Sequence, residues 1–302
     1  MRQSPTTHRG LAPLAPGDTV AIFAGSSPFD RTLVYRGMGF LRQRYRVVFR
    51  PDLFARDGYL AGDDDRRVAE LAQFLSDEDV RALVAARGGY GLSRIVDRLP
   101  LAELVARPKW LVGFSDVTAL HIMLNGAGVP TVHAGNAGSL GLGDADARER
   151  WIDALERPYA PRSLRHLDVI VPGEAAGTLV GGNLTLLHAS AAAGKLKLPA
   201  ATILFFEDVT ERPYRVDRML ATLLSGGHLD NVTGLVLGTF TGCDPGPDGV
   251  TIDKVLVDFA RARGWPTVAS SRLGHGRYND PLVLGLPARV DASGRTGSLQ
   301  IG

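Results

Sequence analysis

The chain has 302 residues, 45% of them hydrophobic and 22% charged, which is enough for two domains with apolar cores and too apolar for a disordered or fibrous protein. Lys and Arg number 34 against 32 Asp and Glu, so the net charge is +2, too balanced to suggest a phosphate-tracking surface, and no nucleic-acid partner is expected. A single cysteine, Cys243, excludes an intrachain disulfide and a Cys-cluster metal site, and it reads as a small buried hydrophobe.

In chain order, Met1 to Asp18 is polar and proline-bearing with no apolar signal-like core, and no later run reaches the roughly 18 apolar residues that would span a bilayer. The expectation is a cytoplasmic protein with no membrane partner. Thr19 to Ala24 reads as an apolar strand ending in Gly25-Ser26-Ser27-Pro28, and Val47 to Phe49 as a second short one. A helix is predicted from Asp65 to Leu75, where Val68, Leu71, Ala72 and Leu75 form one apolar stripe; Asp63-Asp64-Asp65 before it reads as a cap with favourable dipole charge rather than a metal site. Ala82 to Ala86 and Trp110 to Phe114 supply two more strands, and a helix follows Ser115 with Val117, Leu120, Met123 and Leu124 at helical spacing. Strands alternating with helices at this rhythm predict an α/β fold with a parallel sheet, whose ligands bind beyond the carboxyl ends of the strands. Gly25, Arg87 to Gly91 and Ser115 all fall there.

The stretch from Gly138 to Pro172 is rich in Gly, Asp, Arg and Pro and weakly patterned apart from a possible short helix around Trp151, so it reads as a connection. The domains are accordingly set at 1–140, a linker at 141–172, and a second domain at 173–302. In that domain Thr178 to Val180, Ile203 to Phe206, Leu235 to Phe240, Ala288 to Asp291 and Ser298 to Ile301 read as strands, with helices from Leu184 and Pro213. This half is the more β-rich.

Chemistry concentrates in a few residues. Ser115 ends an apolar strand and opens a helix, the geometry of a nucleophile turn, although Val117 replaces the second glycine of G-x-S-x-G. The plain alternative makes Ser115 or Asp116 a helix N-cap. A serine nucleophile needs a base and a group that orients it. His275, in the polar loop Leu273 to Asp280, is the leading base, with His121 and His133 as competitors; the ring of His121, on the helix Ser115 opens, should point away from the hydroxyl. Glu207, at the end of the strand Ile203 to Phe206, is the candidate orienter, with Asp208 as alternative and pairing of Glu207 to Arg212 or Arg215 as the plain reading. The glycines of Arg87-Gly88-Gly89-Tyr90-Gly91, with the N–H of Asp116, could form an oxyanion hole. No G-x-G-x-x-G opens the first βα turn, no P-loop surrounds Gly194-Lys195 and no H-E-x-x-H occurs, so neither a nucleotide cofactor nor a metal is expected.

Blocks running nearly end to end carry a family resemblance: Tyr59 to Gly62, Ala86 to Gly91, Pro108-Lys109 leading to Gly113 to His121, Gly181 to Leu184, Phe206 to Val209 with Tyr214, Asp217 and Arg218, and Gly274-His275. The chain resembles the LD-carboxypeptidase family, the muramoyltetrapeptide carboxypeptidases of bacterial peptidoglycan recycling. The resemblance implies a Rossmann-like N-terminal domain, a β-rich C-terminal domain, an active site between them, and a homodimer. It also implies a Ser115–His275–Glu207 triad with the Gly89 and Asp116 N–H groups as oxyanion hole. The substrate would be a muropeptide or peptide losing its terminal D-alanine, with Arg87 or Arg277 available to its free carboxylate. The chain departs from the family pattern at Ala191 to Lys197 and His133 to Gly135, which bears on the substrate pocket. Two other readings are a microcin-immunity-like hydrolase of peptidyl or aminoacyl sulfamoyl-adenylates, against which the short interval from Asn183 to Glu207 argues, and a non-catalytic muropeptide-binding protein.

Overall fold

The computed structural model describes residues 11–302, so most of the Met1 to Asp18 reading, and the start of the 1–140 domain, lie outside the described residues. Two compact units divide the chain: one runs to Pro158 and takes in Asp280–Leu282, and the other is Tyr159–Asn279 with Val283–Gly302.

The first unit alternates strands and helices: β1 (Thr19–Phe23), α1 (Arg31–Leu41), β2 (Arg46–Val48), α2 (Asp64–Ser76), β3 (Val80–Ala85), α3 (Leu92–Ile95), α4 (Leu101–Ala106), β4 (Trp110–Gly113), α5 (Thr118–Gly126), β5 (Thr131–His133), α6 (Ala137–Leu142) and α7 (Ala145–Glu156). β1 to β5 pair in parallel in the order β5-β4-β3-β1-β2, and every residue of β1 and β4 is buried, as a sheet covered on both faces requires. The chain leaves β1 toward β2 and returns to β3 on the other side, so the order reverses at β1. The turns after β1, β3 and β4 therefore stand side by side at the carboxyl ends of neighbouring strands, the position where open α/β sheets hold ligands.

α1, α3, α4 and α6 have no sequence forecast and α7 only a partial one. α1 is capped by Asp30, whose carboxylate accepts from the Thr32 and Leu33 N–H groups, and its Gly37 lies so close to α6 that a Cβ would sit 1.9 Å from the Ala137 carbonyl oxygen. α7 occupies much of the stretch read as a linker. Asp144 caps it, and Trp151, Ala154 and Leu155 are its buried residues; the rest of ADARERWIDALE faces outward, which dilutes the apolar signal.

The second unit is a closed barrel, β10-β6-β13-β12-β7-β8-β9. Its strands are β6 (Arg162–Val171), β7 (Glu174–Asn183), β8 (Thr202–Val209), β9 (Val232–Thr241), β10 (Thr267–Ala269), β12 (Pro287–Asp291) and β13 (Gly297–Ile301), with helices α8 (Leu184–Ala192), α9 (Pro213–Ser225) and α10 (Ile252–Arg263); β11 (Leu282–Leu284) belongs to the six-stranded sheet instead. β7 to β10 run parallel and the remaining pairs antiparallel. β6 corrects the 141–172 linker a second time. Its sequence, RSLRHLDVIV, is largely exposed and polar along one half, so it lacks the continuous apolar run by which β1 announces itself. Parallel strand β8 is buried along nearly its whole length and delivers Glu207 and Asp208 at its carboxyl end.

Candidate active site

In the first unit the turn after β4 carries Ser115 at φ +65°, a left-handed conformation that costs a non-glycine residue about 1–3 kcal/mol and that clusters at functional turns. The Ser115 side chain makes no capping hydrogen bond to the 3-10 turn it begins or to α5, which removes the N-cap reading. The chain is held in this shape from both sides: Phe114 N–H donates to Asn136 Oδ1 at 3.1 Å and Val117 N–H to the Phe114 carbonyl at 3.4 Å. Gly88 lies directly against the serine. A Cβ there would come within 2.6 Å of Ser115 Cβ and 2.8 Å of its Oγ.

The loop after β3 is fixed by Ser27. Its N–H donates to the Gly88 carbonyl at 3.3 Å, and its Oγ accepts from Tyr90 N–H at 3.1 Å. Between these two anchors Gly89 adopts φ +109°, open only to glycine. The Gly89 and Asp116 N–H groups donate to no acceptor among the described residues. Two unspent N–H groups flanking a strained hydroxyl can stabilise an oxyanion.

The Asp116 carboxylate is fully buried and accepts from Ser26 Oγ at 2.7 Å and from Leu92 N–H at 2.9 Å. Burial pushes its pKa up, against the pull of these donors. Arg67, also fully buried, clamps the same turns from behind: its Nη1 donates to the carbonyls of Gly25 (2.7 Å) and Gly91 (2.8 Å), and its Nη2 pairs with Asp64. Sequence reasoning missed Ser26, Ser27 and Arg67. A buried arginine on an amphipathic helix has no sequence signature, but two serines straight after a β1-type strand could have drawn attention.

The second unit holds the other group. His275 Nδ1 lies 2.6 Å from Glu207 Oε2, and His275 N–H donates to the same oxygen at 3.2 Å. An ionised carboxylate can only accept, so Nδ1 carries the hydrogen and Nε2 is left as the basic nitrogen. Glu207 is fully buried, and its Oε1 has no hydrogen-bond partner among the described residues, so its charge is directed to the imidazole. Gly274, at φ +105°, makes the approach possible; a Cβ there would stand 2.6 Å from Glu207 Oε2. Glu207 and Asp208 are successive residues of β8 and so face opposite sides of the strand. Asp208 bonds Asn183, Thr185 N–H and Thr185 Oγ1 at the start of α8. Glu207 does not pair with Arg212, which donates to the Asp244 and Pro245 carbonyls, or with Arg215, which meets Glu211.

His121 is a structural residue. Fully buried, it bonds Thr131 Oγ1 at 2.8 Å and the Gly113 carbonyl at 2.9 Å, and burial lowers its pKa to about 4. His133 is buried beside Phe114 and His121. Arg87 donates to the Pro28 carbonyl at 2.5 Å, and Arg277 stacks on Tyr278, 5.4 Å from its centroid. Asp63 caps α2 by accepting from Arg66 N–H. Cys243 is buried, with its thiol pushed up to about 11. Among the described residues no His, Cys, Asp and Glu side chains form a group able to hold a metal ion, and no helix is long and apolar enough to cross a membrane.

An α/β unit with a strained serine turn and a barrel with an imidazole–carboxylate pair are the components of a peptidase. The chain belongs to the LD-carboxypeptidase family: the family's N-terminal domain model matches residues 20–134 and its C-terminal domain model residues 176–290. The murein tetrapeptide carboxypeptidase of Pseudomonas aeruginosa is 32% identical over 79% of this chain and 81% of its own. The crystal structure of muramoyltetrapeptide carboxypeptidase from Oxalobacter formigenes superposes with a TM-score of 0.84 at 29% identity, covering 94% of this chain and 98% of that one. MccF in complex with glutamyl sulfamoyl guanosine shares the fold at a TM-score of 0.85 and 21% identity, covering 96% and 97%.

Proposed function

We propose that the protein is a serine-type LD-carboxypeptidase that removes the terminal D-alanine from murein tetrapeptides in cytoplasmic peptidoglycan recycling. The observation that carries the reading is Ser115, a left-handed non-glycine residue with two unspent N–H groups beside it. The Glu207–His275 pair supplies a base of defined tautomer. The chemistry requires Ser115 Oγ and His275 Nε2 to meet within about 2.6–3.2 Å in the working enzyme.

Ser115 Oγ then attacks the carbonyl carbon of the last peptide bond while His275 takes its proton. Charge gathers on the carbonyl oxygen, which accepts from the Gly89 and Asp116 N–H groups. As the C–N bond breaks, the imidazolium returns the proton to the departing D-alanine nitrogen, leaving an acyl-enzyme. Water, deprotonated by His275, attacks the ester and restores the serine. Glu207 holds the ring and stabilises the imidazolium without itself taking the proton. Arg87 or Arg277 receives the substrate's terminal carboxylate. The cycle needs no cofactor or metal, and the protein works as a homodimer.

The fold shared with MccF, solved with aspartyl sulfamoyl adenosine, keeps a second reading open, hydrolysis of peptidyl or aminoacyl sulfamoyl-adenylates. Incubation with a murein tetrapeptide and, separately, with an aminoacyl sulfamoyl-adenylate separates the two by mass. Loss of one alanine from the tetrapeptide alone is expected, and adenylate cleavage alone would reverse the assignment. Ser115→Ala should lower kcat at least about a thousandfold while ligand still binds; unchanged behaviour would leave a muropeptide-binding protein.

A further inference from the structure

We propose that the Asp116 carboxylate is the positioning residue of the oxyanion hole, locking the turns after β1, β3 and β4 into one frame; the proposal rests on Ser115 being the nucleophile. The two donors of the hole sit on different turns, Gly89 after β3 and Asp116 after β4. Nothing in the parallel sheet fixes their spacing, because backbone pairing stops before the turns: the last β3–β4 pair is Val84 with Val112. Beyond that point the side chain of Asp116 supplies hydrogen bonds that join the turn after β4 to the other two, beside the packing of Gly88 on Ser115 and the Arg67 clamp between the turns after β1 and β3. Asp116 Oδ2 accepts from Leu92 N–H, at the end of the loop that carries Gly89, and from Ser26 Oγ, on the turn after β1. Ser27, the next residue on that turn, grips the glycine loop at Gly88 and Tyr90. The frame closes on itself. One donor belongs to Asp116 itself, and the other is reached through two routes that both involve its carboxylate. Burial of both Asp116 and Ser26 keeps water from substituting for either contact.

A hole assembled this way should lose transition-state stabilisation when a strut is cut, with ligand binding little changed. The test uses the full chain and a fluorophosphonate, which needs the nucleophile, its base and the hole but no peptide contacts: Ser115 Oγ bonds phosphorus, fluoride leaves, and the hydroxyl proton passes to His275. Ser26→Ala removes one hydroxyl and should lower the maximal labelling rate about tenfold, as expected for donors displaced by a fraction of an ångström. The half-saturating probe concentration should stay within about twofold, because the loss falls on the transition state. Asp116→Ala should lose about a hundredfold or more. Asp116→Asn, whose amide oxygen can still accept from Ser26 and Leu92 while its nitrogen takes the place of the unpartnered Oδ1, should recover to within about tenfold of the unmodified protein. Melting temperatures and circular dichroism of each variant accompany the rates. Labelling of Ser26→Ala and of folded Asp116→Ala at the unmodified rate would overturn the proposal, as would losses that follow melting temperature with no recovery in Asp116→Asn. Absence of label on Ser115 in the unmodified protein would instead overturn the serine reading, and the proposal with it.

Discussion

The two units hold their candidate catalytic groups by opposite means. In the first, backbone shape does this: Ser115 at φ +65°, Gly89 at φ +109° and the bare Cα of Gly88 let a hydroxyl stand among free N–H groups. In the second, a buried side-chain charge does it, with Glu207 sealed from water and aimed at one imidazole nitrogen. Gly274 and Gly238 are backbone concessions there, since a Cβ on either would crowd Glu207. A turn made of strain tolerates no added atoms, whereas a charge pair tolerates no loss of charge.

That contrast can be tested by substitution. Glu207→Gln keeps shape and removes charge; its amide can force the wrong imidazole tautomer, so kcat should fall about ten-thousandfold with stability nearly unchanged. Steady-state kinetics beside urea denaturation checks this, and a loss below tenfold would remove Glu207 from the mechanism. Gly88→Ala and Gly274→Ala add one methyl to each half. Gly88→Ala presses on Ser115 and should cost about a hundredfold in kcat, as expected for reacting atoms displaced by about an ångström. Gly274→Ala meets Glu207 Oε2 at a positive φ and should also destabilise the fold by about 1–3 kcal/mol. A kcat loss below about tenfold in Gly88→Ala would contradict the contrast.

The smallest effect separates the histidines. His121 is held neutral with a pKa of about 4, below the usual 6.5, so the unfolded chain takes up its proton first as pH falls. Its contribution is fully present above pH 6.5 and is lost between 6.5 and 4, up to about 3 kcal/mol. The stability gap between the protein and His121→Gln should therefore narrow from pH 7 to pH 4.5 in urea titrations. A constant gap would show that the ring titrates normally.

Legibility in the sequence followed burial. β1, β4 and β8 are buried on both faces and read as apolar runs, and the turns they feed could be placed without coordinates. β6 and α7 expose too many charged side chains to stand out, so the 141–172 stretch looked like a connection. Ser115, Asp116, Glu207 and His275 stand out in the sequence as candidates because motif blocks carry them. The network behind them does not: Ser26, Ser27 and Arg67 act through hydrogen bonds between turns more than 20 residues apart, and periodicity carries no trace of such pairings.

The proposed mechanism requires the Ser115 hydroxyl and the His275 imidazole to act together. A double-mutant cycle on kcat for tetrapeptide cleavage tests it, using Ser115→Ala, His275→Ala and the pair together. Groups that act as a unit are non-additive, so the double variant should be no slower than the worse single one, within about threefold. Losses that multiply would mean that the two side chains act independently, and the triad reading would be wrong.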